Sequence, residues 1–187
     1  MIKNNDVIVL GSGPSGICAA ICAARMGSKV LLIERWGFLG GMMTAGMVAP
    51  IHTFHNMRGE QIVKGIGDEI IDNLSKIGGA FKEKHLVSSY RSSYTHTPFD
   101  VESMKRVLLD MALKEKINIL LHSYFFSASV EGNNIKSIKV INKSGIRSYT
   151  AKFFIDASGD ADLISSVNNE YFRGDSSGKA MAGSLMI

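Results

Sequence analysis

The hydrophobic pattern of the chain begins with two short apolar runs on either side of an amphipathic stretch. Val7 to Leu10 and Val30 to Ile33 are continuous apolar runs, as expected for strands buried on both faces of a parallel sheet. Between them, Pro14 suits the first position of a helix and Gly27 suits its end. The first 34 residues therefore predict a strand, a helix and a second strand in one βαβ unit.

Two further helices are predicted from apolar residues that recur at helical spacing. Residues 60–77 carry isoleucines and a leucine on one face, which predicts an amphipathic helix ending at Gly78. After Pro98, Asp100 is a suitable N-cap for the next helix. The apolar face of that helix is predicted to hold Val101, Met104, Val107, Leu108 and Met111. We interpret the polar residues 81–97 between these helices as an exposed loop.

From residue 117 onward, helical spacing gives way to alternation interrupted by Gly and Asn turns. "INILLH" predicts a strand, and "FFSASVEGNN", "IKSIKVINKSG" and "IRSYTAKFFIDASG" predict three strands joined by turns. The chain returns to the sheet through "FFIDASGD". The whole pattern predicts one α/β domain over residues 1–187, with a parallel sheet, a three-stranded meander, and a helical and loop excursion at 51–99.

Composition and charge narrow the classes of function. The chain has 187 residues, 45% of them hydrophobic, which suits one globular domain with a core. Its net charge of +4 comes from scattered Lys and Arg without interleaved aromatics, so nucleic acid is not an expected partner. Because it lacks an apolar stretch of about 20 residues, no membrane span is expected, and glycines and a proline interrupt the apolar start too early for a signal peptide. We expect a cytoplasmic protein.

The two cysteines, Cys18 and Cys22, lie one helical turn apart in the first predicted helix. A metal site or a redox pair would need further Cys or a neighbouring His, and the local sequence has neither. We interpret both as small core residues in a reducing compartment. The acidic "DASGDAD" segment lacks the spacing of a calcium loop, so no metal is expected.

A glycine-rich turn, "GSGPSG", follows the first strand and opens the first helix. Gly11, Gly13 and Gly16 form G-x-G-x-x-G, and an acid follows about 20 residues later, at Glu34. Gly11 permits the tight turn, Gly13 lets a pyrophosphate approach the backbone, and Gly16 allows close packing of helix on sheet. The helix N-terminus attracts the anion, and Glu34 can accept hydrogen bonds from both ribose hydroxyls. The motif predicts a ligand with an ADP half. It leaves NAD and FAD open, and a strand–turn–helix without a ligand is the alternative.

Three stretches in order carry a resemblance to a known family: "VIVLGSGPSGICAAICAARMGSKVLLIERWGFLGGMMTAGMV", "TPFD" and "IDASGDADL". The chain resembles the FAD-dependent oxidoreductases, with a glutathione-reductase-like FAD fold. This family is related to the fumarate-reductase flavoprotein branch and to the flavin subunit of heterodisulfide reductases. The resemblance implies a Rossmann-like FAD-binding domain, FAD as cofactor, and transfer of hydride or electrons between FAD and a small molecule or redox partner.

The resemblance also implies which residues contact the cofactor. The pyrophosphate contacts are expected at Gly11, Ser12, Gly13, Pro14, Ser15 and Gly16. The adenosine ribose is expected at Glu34, with Arg35 beside it. Gly40, Gly41 and Met42 are expected to line the cofactor, with Thr44 on the way to the isoalloxazine. A second flavin-contacting turn is expected at Ala157, Ser158, Gly159 and Asp160, and an adenine neighbour at Phe125.

Candidates for substrate chemistry are weaker than those for cofactor binding. His52 and His55 could act as acid or base, although a structural role is the simpler interpretation. His85, His96, Tyr90, Arg91 and Tyr94 are most simply residues of polar loops. Met42, Met43 and Met47 either lie near the flavin or fill gaps in a core.

Proteins of this family are considerably longer, and their later portions supply most of the substrate domain. We therefore expect this chain to be an N-terminal portion of a longer flavoprotein, or a truncated product, with the substrate domain largely absent. One alternative is a non-catalytic or split FAD-binding or ADP-binding module that a partner chain completes. A second is an NAD-linked enzyme similar to thiazole synthases, which share the early glycine turn.

Overall fold

A four-stranded parallel sheet lies at the centre of the computed structural model, which describes residues 5–52, 54–56, 58, 60–80, 96–167, 171, 174–181 and 183. From one edge to the other, its strands are β5 (Asn118–Leu120), β2 (Val30–Ile33), β1 (Asn5–Leu10) and β9 (Ala151–Asp156). β1 lies inside the sheet, because it is hydrogen-bonded to β2 on one side and to β9 on the other, both in parallel register. The two apolar runs near the start of the chain are thus adjacent strands, as predicted.

Three helices cover one face of this sheet: α1 (Pro14–Arg25), α2 (Ile66–Lys76) and α3 (Val101–Lys114). Successive side chains of a strand point to opposite faces, so alternate residues of β1 and β2 enter this layer. The helix-side core is formed by Val7, Val9, Val30, Leu32, Ile17, Ile21, Leu74, Met104 and Leu108, together with smaller neighbours. The predicted apolar face of α3 is confirmed, and Asp100 caps this helix by accepting a hydrogen bond from the Ser103 amide at 2.7 Å.

An antiparallel three-stranded meander covers the other face. It consists of β6 (Tyr124–Glu131), β7 (Asn134–Asn142) and β8 (Gly145–Tyr149). Its buried residues pack with the short helix α4 (Asp162–Ser166) against the parallel sheet. This second core comprises Ile8, Leu10, Leu31, Ile33, Ile138, Val140 and Leu163. The predicted α/β class, with a parallel sheet and a meander, is therefore confirmed.

Three predicted boundaries are wrong. The helix predicted for residues 60–77 begins only at Ile66, since the Ile62 amide donates to the Phe54 carbonyl at 2.8 Å and Gly65 has a φ of +73°. The last predicted meander segment divides into two strands, because β8 pairs with β7 whereas β9 pairs with β1. The expected loop at 81–97 ends in a strand: β4 (His96–Pro98) pairs with β3 (Pro50–His52), and residues 81–95 lie outside the described part.

The cysteines of α1 differ from the prediction. Ile17 and Ile21 lie at the centre of the buried face, and Cys18 and Cys22 each stand about 100° further round the helix. Cys18 is half-buried against the helix-side core, and this burial raises the pKa of its thiol, with a smaller contribution from nearby Cys22. Cys22 is exposed, so its assignment to the core is wrong. None of the described helices is long and apolar enough to cross a membrane.

Candidate functional site

A cavity of about 490 Å³ opens at the carboxyl ends of β1, β2 and β9. Its walls come from the residues that follow these strands and from the start of β6, with one further segment around a 3₁₀ turn at Gly41–Met43. In open parallel sheets, ligands bind in the crevice outside the carboxyl ends of the strands. The topology alone therefore makes this cavity the candidate site.

The glycine-rich turn forms one wall, and its three glycines differ in their surroundings. Gly11 has a φ of +87°, a conformation in which a side chain would be strained. A Cβ on Gly13 would meet nothing within 4 Å, so the backbone there is open to the cavity. A Cβ on Gly16 would overlap the Gly11 carbonyl oxygen and lie 3.1 Å from the Ala157 Cβ, so the close contact of α1 with the turn requires glycine.

The N-terminus of α1 is adjacent to this opening. The helix begins at Pro14, and no side chain caps it. The first amides of a helix lack intrahelical partners and carry about half a positive charge, which suits an anion. A diphosphate fits this place, because the uncapped helix end supplies donors and Gly13 leaves room beside the main chain.

Glu34 is buried in the wall at the end of β2, with 4% of its surface exposed. Its Oε2 accepts hydrogen bonds from the Ser12 amide at 2.8 Å and from the Ser12 hydroxyl at 2.5 Å. Its Oε1 accepts a hydrogen bond from the Trp36 amide at 2.9 Å. The carboxylate therefore joins the glycine-rich turn to the segment that follows β2.

Asp156, at the end of β9, orders the turn on the opposite wall. Its Oδ1 accepts hydrogen bonds from the Ser158 amide and hydroxyl at 3.1 and 2.7 Å. Its Oδ2 accepts from the Leu163 and Ile164 amides, both at 3.0 Å, at the start of α4. Asp162 lies in the same wall, and burial raises the pKa of its carboxyl, helped by the charges of two neighbouring aspartates and opposed by Arg35.

Most of the cofactor residues predicted from the sequence line this one cavity. They are Gly11, Ser12, Gly13, Pro14, Ser15, Glu34, Arg35, Gly41, Met42, Phe125, Ala157, Ser158, Gly159 and Asp160. Gly16, Gly40 and Thr44 do not line it. Gly40 donates its amide to the Ser12 carbonyl at 2.9 Å, and the buried Thr44 hydroxyl donates to the Leu39 carbonyl at 2.7 Å. Both support the wall from behind.

Several wall residues were missed. They are Leu10, Ile33, Trp36, Ala45, Gly46, Ser123, Tyr124 and Asp162. Trp36 is the only tryptophan of the chain, and the Arg35 guanidinium lies 5.6 Å from the centre of its ring. Its place two residues after Glu34 was the available signal, whereas Ser123 and Tyr124 reach the cavity only because β6 starts beside the end of β2.

The two candidates for acid–base chemistry, His52 and His55, are not among the residues that line this cavity. His52 belongs to β3, and His55 forms an isolated bridge with Gln61. His85, Tyr90, Arg91 and Tyr94 lie outside the described residues, and His96 belongs to β4. Within the described ranges, no three His, Cys, Asp or Glu side chains are placed to hold a metal ion.

The three methionines near the glycine pair have different environments. Met43 is buried in the helix-side core, so it fills a gap between elements. Met42 is exposed and contributes to the cavity wall, whereas Met47 is exposed but does not line the cavity. Packing therefore accounts for Met43, and proximity to the ligand remains the prediction for Met42.

Comparison with known proteins identifies the family. The model of the FAD dependent oxidoreductase family matches residues 6–186. The chain belongs to this family. It is 29% identical over 161 residues to digeranylgeranylglycerophospholipid reductase of Picrophilus torridus, covering 85% of this chain and 40% of the relative. FAD is therefore the cofactor, as predicted.

Solved structures agree on the fold of this member of the FAD dependent oxidoreductase family. A geranylgeranyl bacteriochlorophyll reductase-like protein from Thermoplasma acidophilum superposes with a TM-score of 0.62 at 21% identity, over 91% of this chain and 43% of that one. THI4 of Thermovibrio ammonificans gives a TM-score of 0.59 at 20% identity, over 88% and 61%. The Rossmann-like FAD-binding fold is confirmed, and the chain spans less than half the length of the reductase relatives.

Proposed function

We propose that this chain is the FAD-binding portion of an oxidoreductase that passes hydride or electrons between FAD and a small molecule or redox partner. One observation carries the proposal. In a chain of the FAD family, a single cavity brings together an open glycine backbone, an uncapped helix N-terminus and a buried carboxylate. Bound FAD supplies the redox chemistry, and the chain supplies binding and orientation.

Each part of the cavity has a distinct task in this proposal. The amides at the start of α1 donate hydrogen bonds to the diphosphate, and Gly13 leaves the space it needs. Glu34 accepts a hydrogen bond from the adenosine ribose, and its negative charge disfavours a 2′-phosphate at that position. The turn held by Asp156 closes the opposite wall.

We assign the chain to the branch of fumarate-reductase flavoproteins and heterodisulfide reductase flavin subunits on the basis of its glycine pair. A Cβ on Gly41 would lie 2.8 Å from the Gly13 Cα, so the segment after Gly40 packs directly on the phosphate turn. Met42 then enters the cavity wall beside it. A glycine pair at this point therefore lets a second backbone segment run along the nucleotide.

A second candidate is a split or non-catalytic FAD-binding module that another chain completes. The chain spans 40% of the Picrophilus reductase, and this coverage fits either candidate. The two candidates share the cavity and differ in whether reducing equivalents reach the bound flavin. The NAD-linked alternative has weaker support, since the likeness to THI4 concerns the fold alone.

The only tryptophan, Trp36, makes the first test direct, because it lines the cavity and its fluorescence reports on the bound ligand. Cofactor-free protein is titrated with FAD, ADP, FMN and NAD. We expect FAD and ADP to quench the fluorescence of Trp36 until the quenching saturates at one ligand per chain. FMN, which lacks the ADP half, is expected to bind far more weakly. Tight FMN binding without ADP binding would contradict the proposed site.

The proposed redox activity is tested on FAD-loaded protein under anaerobic conditions. NADH, NADPH and dithiol donors are added separately, and loss of the yellow flavin absorbance is followed. Reduction by one donor supports the oxidoreductase portion. Stable FAD binding without reduction by any donor, followed by reduction when a partner polypeptide is added, supports the split module.

A further inference from the structure

Glu34 has almost no free hydrogen-bonding capacity in this chain. An ionised carboxylate offers about four lone-pair positions, two on each oxygen. The Ser12 amide and hydroxyl occupy both positions on Oε2, and the Trp36 amide occupies one on Oε1. One position therefore remains, on Oε1.

Ser12 is held in this arrangement by hydrogen bonds of its amide, its hydroxyl and its carbonyl. It is fully buried, with 0% of its surface exposed, and its amide and hydroxyl both donate to Glu34. Its carbonyl accepts a hydrogen bond from the Gly40 amide at 2.9 Å. The hydroxyl therefore cannot turn away from Glu34 without leaving a buried donor unpaired, which is unfavourable.

We propose that Ser12 is a positioning residue that restricts Glu34 to a single ribose hydroxyl, so that the site recognises one of the two adenosine hydroxyls through this carboxylate and not both. The inference rests on the proposed function and goes beyond it. It replaces the expectation that Glu34 accepts both hydroxyls. Ser12 acts through Glu34: because its amide and its hydroxyl both donate to the carboxylate, the proposal also replaces the expected pyrophosphate contact at Ser12.

The test compares ADP, 2′-deoxy-ADP and 3′-deoxy-ADP as ligands of the cofactor-free full chain, followed by Trp36 fluorescence. One deoxy analogue is expected to bind about tenfold or more weakly than ADP, because the lost hydrogen bond involves a charged acceptor. The other is expected to bind within about twofold of ADP, since no acceptor position on Glu34 is available to its missing hydroxyl.

The same three ligands are then measured with Ser12→Ala, which keeps the backbone amide and removes the hydroxyl. Because this change frees one acceptor position on Oε2 while the Ser12 and Trp36 amides still hold the carboxylate, we expect the restriction to be lost. The analogue tolerated by the unaltered chain should then bind about tenfold more weakly than ADP, so that the two deoxy analogues no longer differ. Ser75→Ala is the matched control, because the Ser75 hydroxyl is buried without a hydrogen-bond partner in α2, and no residue of α2 lines the cavity. Circular dichroism verifies that both variants fold.

In the unaltered chain, comparable losses of affinity for both deoxy analogues, or for neither, would overturn the single-hydroxyl assignment. An equal loss for all three ligands in Ser12→Ala would overturn the positioning role, because a merely structural defect does not depend on one hydroxyl. If Ser12→Ala fails to fold, the analogue comparison on the unaltered chain still decides the assignment. If neither ADP nor FAD binds the unaltered chain, the proposed function itself fails.

Discussion

The two ends of the cavity are built on opposite principles. The glycine end is the turn Gly11–Ser15 with the backbone segment at Gly41 packed on it, and Gly16 supports it from behind. It depends on the lack of side chains at its four glycines. The acid end, Glu34–Trp36 with Ser123–Phe125, is assembled from separate segments and works through side chains. Adding atoms should therefore damage the glycine end, and removing hydrogen-bonding groups should damage the acid end.

The largest effect is expected from Gly16→Val, which adds atoms where the chain has no space. A Cβ at this position overlaps the Gly11 carbonyl oxygen, so the helix must separate from the turn. We expect a loss of about 3 kcal/mol or more in the free energy of unfolding, together with loss of FAD binding. Urea denaturation measures the first and Trp36 fluorescence the second.

Gly67→Ala is the control, since a Cβ there makes ordinary contacts, 3.5 Å from Val63 and 3.7 Å from Phe54. It should leave FAD binding unchanged and raise the free energy of unfolding by no more than about 1 kcal/mol, because alanine favours the helix more than glycine does. Unaltered stability of Gly16→Val would show that the glycine end does not depend on close backbone packing.

Gly13→Val separates binding from folding within the glycine end. A Cβ at Gly13 meets no protein atom within 4 Å, so the free energy of unfolding without ligand should stay close to that of the unaltered chain. The added methyl groups occupy the space proposed for the diphosphate, and we expect near-complete loss of FAD binding. Native affinity for FAD in this variant would mean that the diphosphate lies elsewhere.

Glu34→Ala tests the acid end by removing an acceptor. We expect FAD binding to weaken by about 1.5–3 kcal/mol, the usual value of a hydrogen bond to a charged group. The unliganded protein should also lose stability, because the buried Ser12 amide and hydroxyl lose their acceptor. Titration and thermal denaturation measure the two effects, with exposed Glu131→Ala as the control. Unchanged affinity would remove Glu34 from the site.

Asp162→Asn is expected to have the smallest effect, and that effect depends on pH. The pKa of Asp162 is raised in the folded chain, chiefly by burial and then by Asp160 and Asp156. Folding is therefore disfavoured as the pH rises from the ordinary aspartate value of about 4 through the raised value.

The asparagine variant should match the unaltered chain at low pH and gain less than about 1 kcal/mol above that window, because Asp162 is exposed and solvent screens its charge. Thermal denaturation across this range measures the difference, and exposed Asp110→Asn provides the control. If the variant became less stable than the unaltered chain as the pH rises, the direction of the Asp162 pKa shift would be contradicted.

The same contrast explains which parts of the site could be predicted from the sequence. The glycine end follows from local spacing, because the turn, the helix start and β1 are contiguous in the chain. The acid end depends on tertiary contacts: the Ser123 amide donates to the Glu34 carbonyl at 3.0 Å, and the His122 amide donates to the Trp36 carbonyl at 3.1 Å. No sequence period reports these contacts, and Ser123 and Tyr124 were missed for that reason.

The fold shows the same limit. β1, β2, α1 and α3 were predicted closely, because apolar runs and caps define them locally. The start of α2 was not, since residues 60–62 follow the helical period of isoleucines but are hydrogen-bonded to residues 54–56 instead. Periodicity identifies the buried face of a segment, whereas competition from a neighbouring strand-like segment decides where a helix begins.

The hydrogen bond between the Gly40 amide and the Ser12 carbonyl gives the chain a built-in signal of cofactor binding, the exchange rate of that amide. This amide belongs to the second backbone segment, yet its exchange with deuterium depends on whether the phosphate turn stays in place. Occupancy of the turn should slow exchange at Gly40, although Gly40 itself is not in the cavity wall. A single amide signal can thus record cofactor loading without any optical property of the flavin.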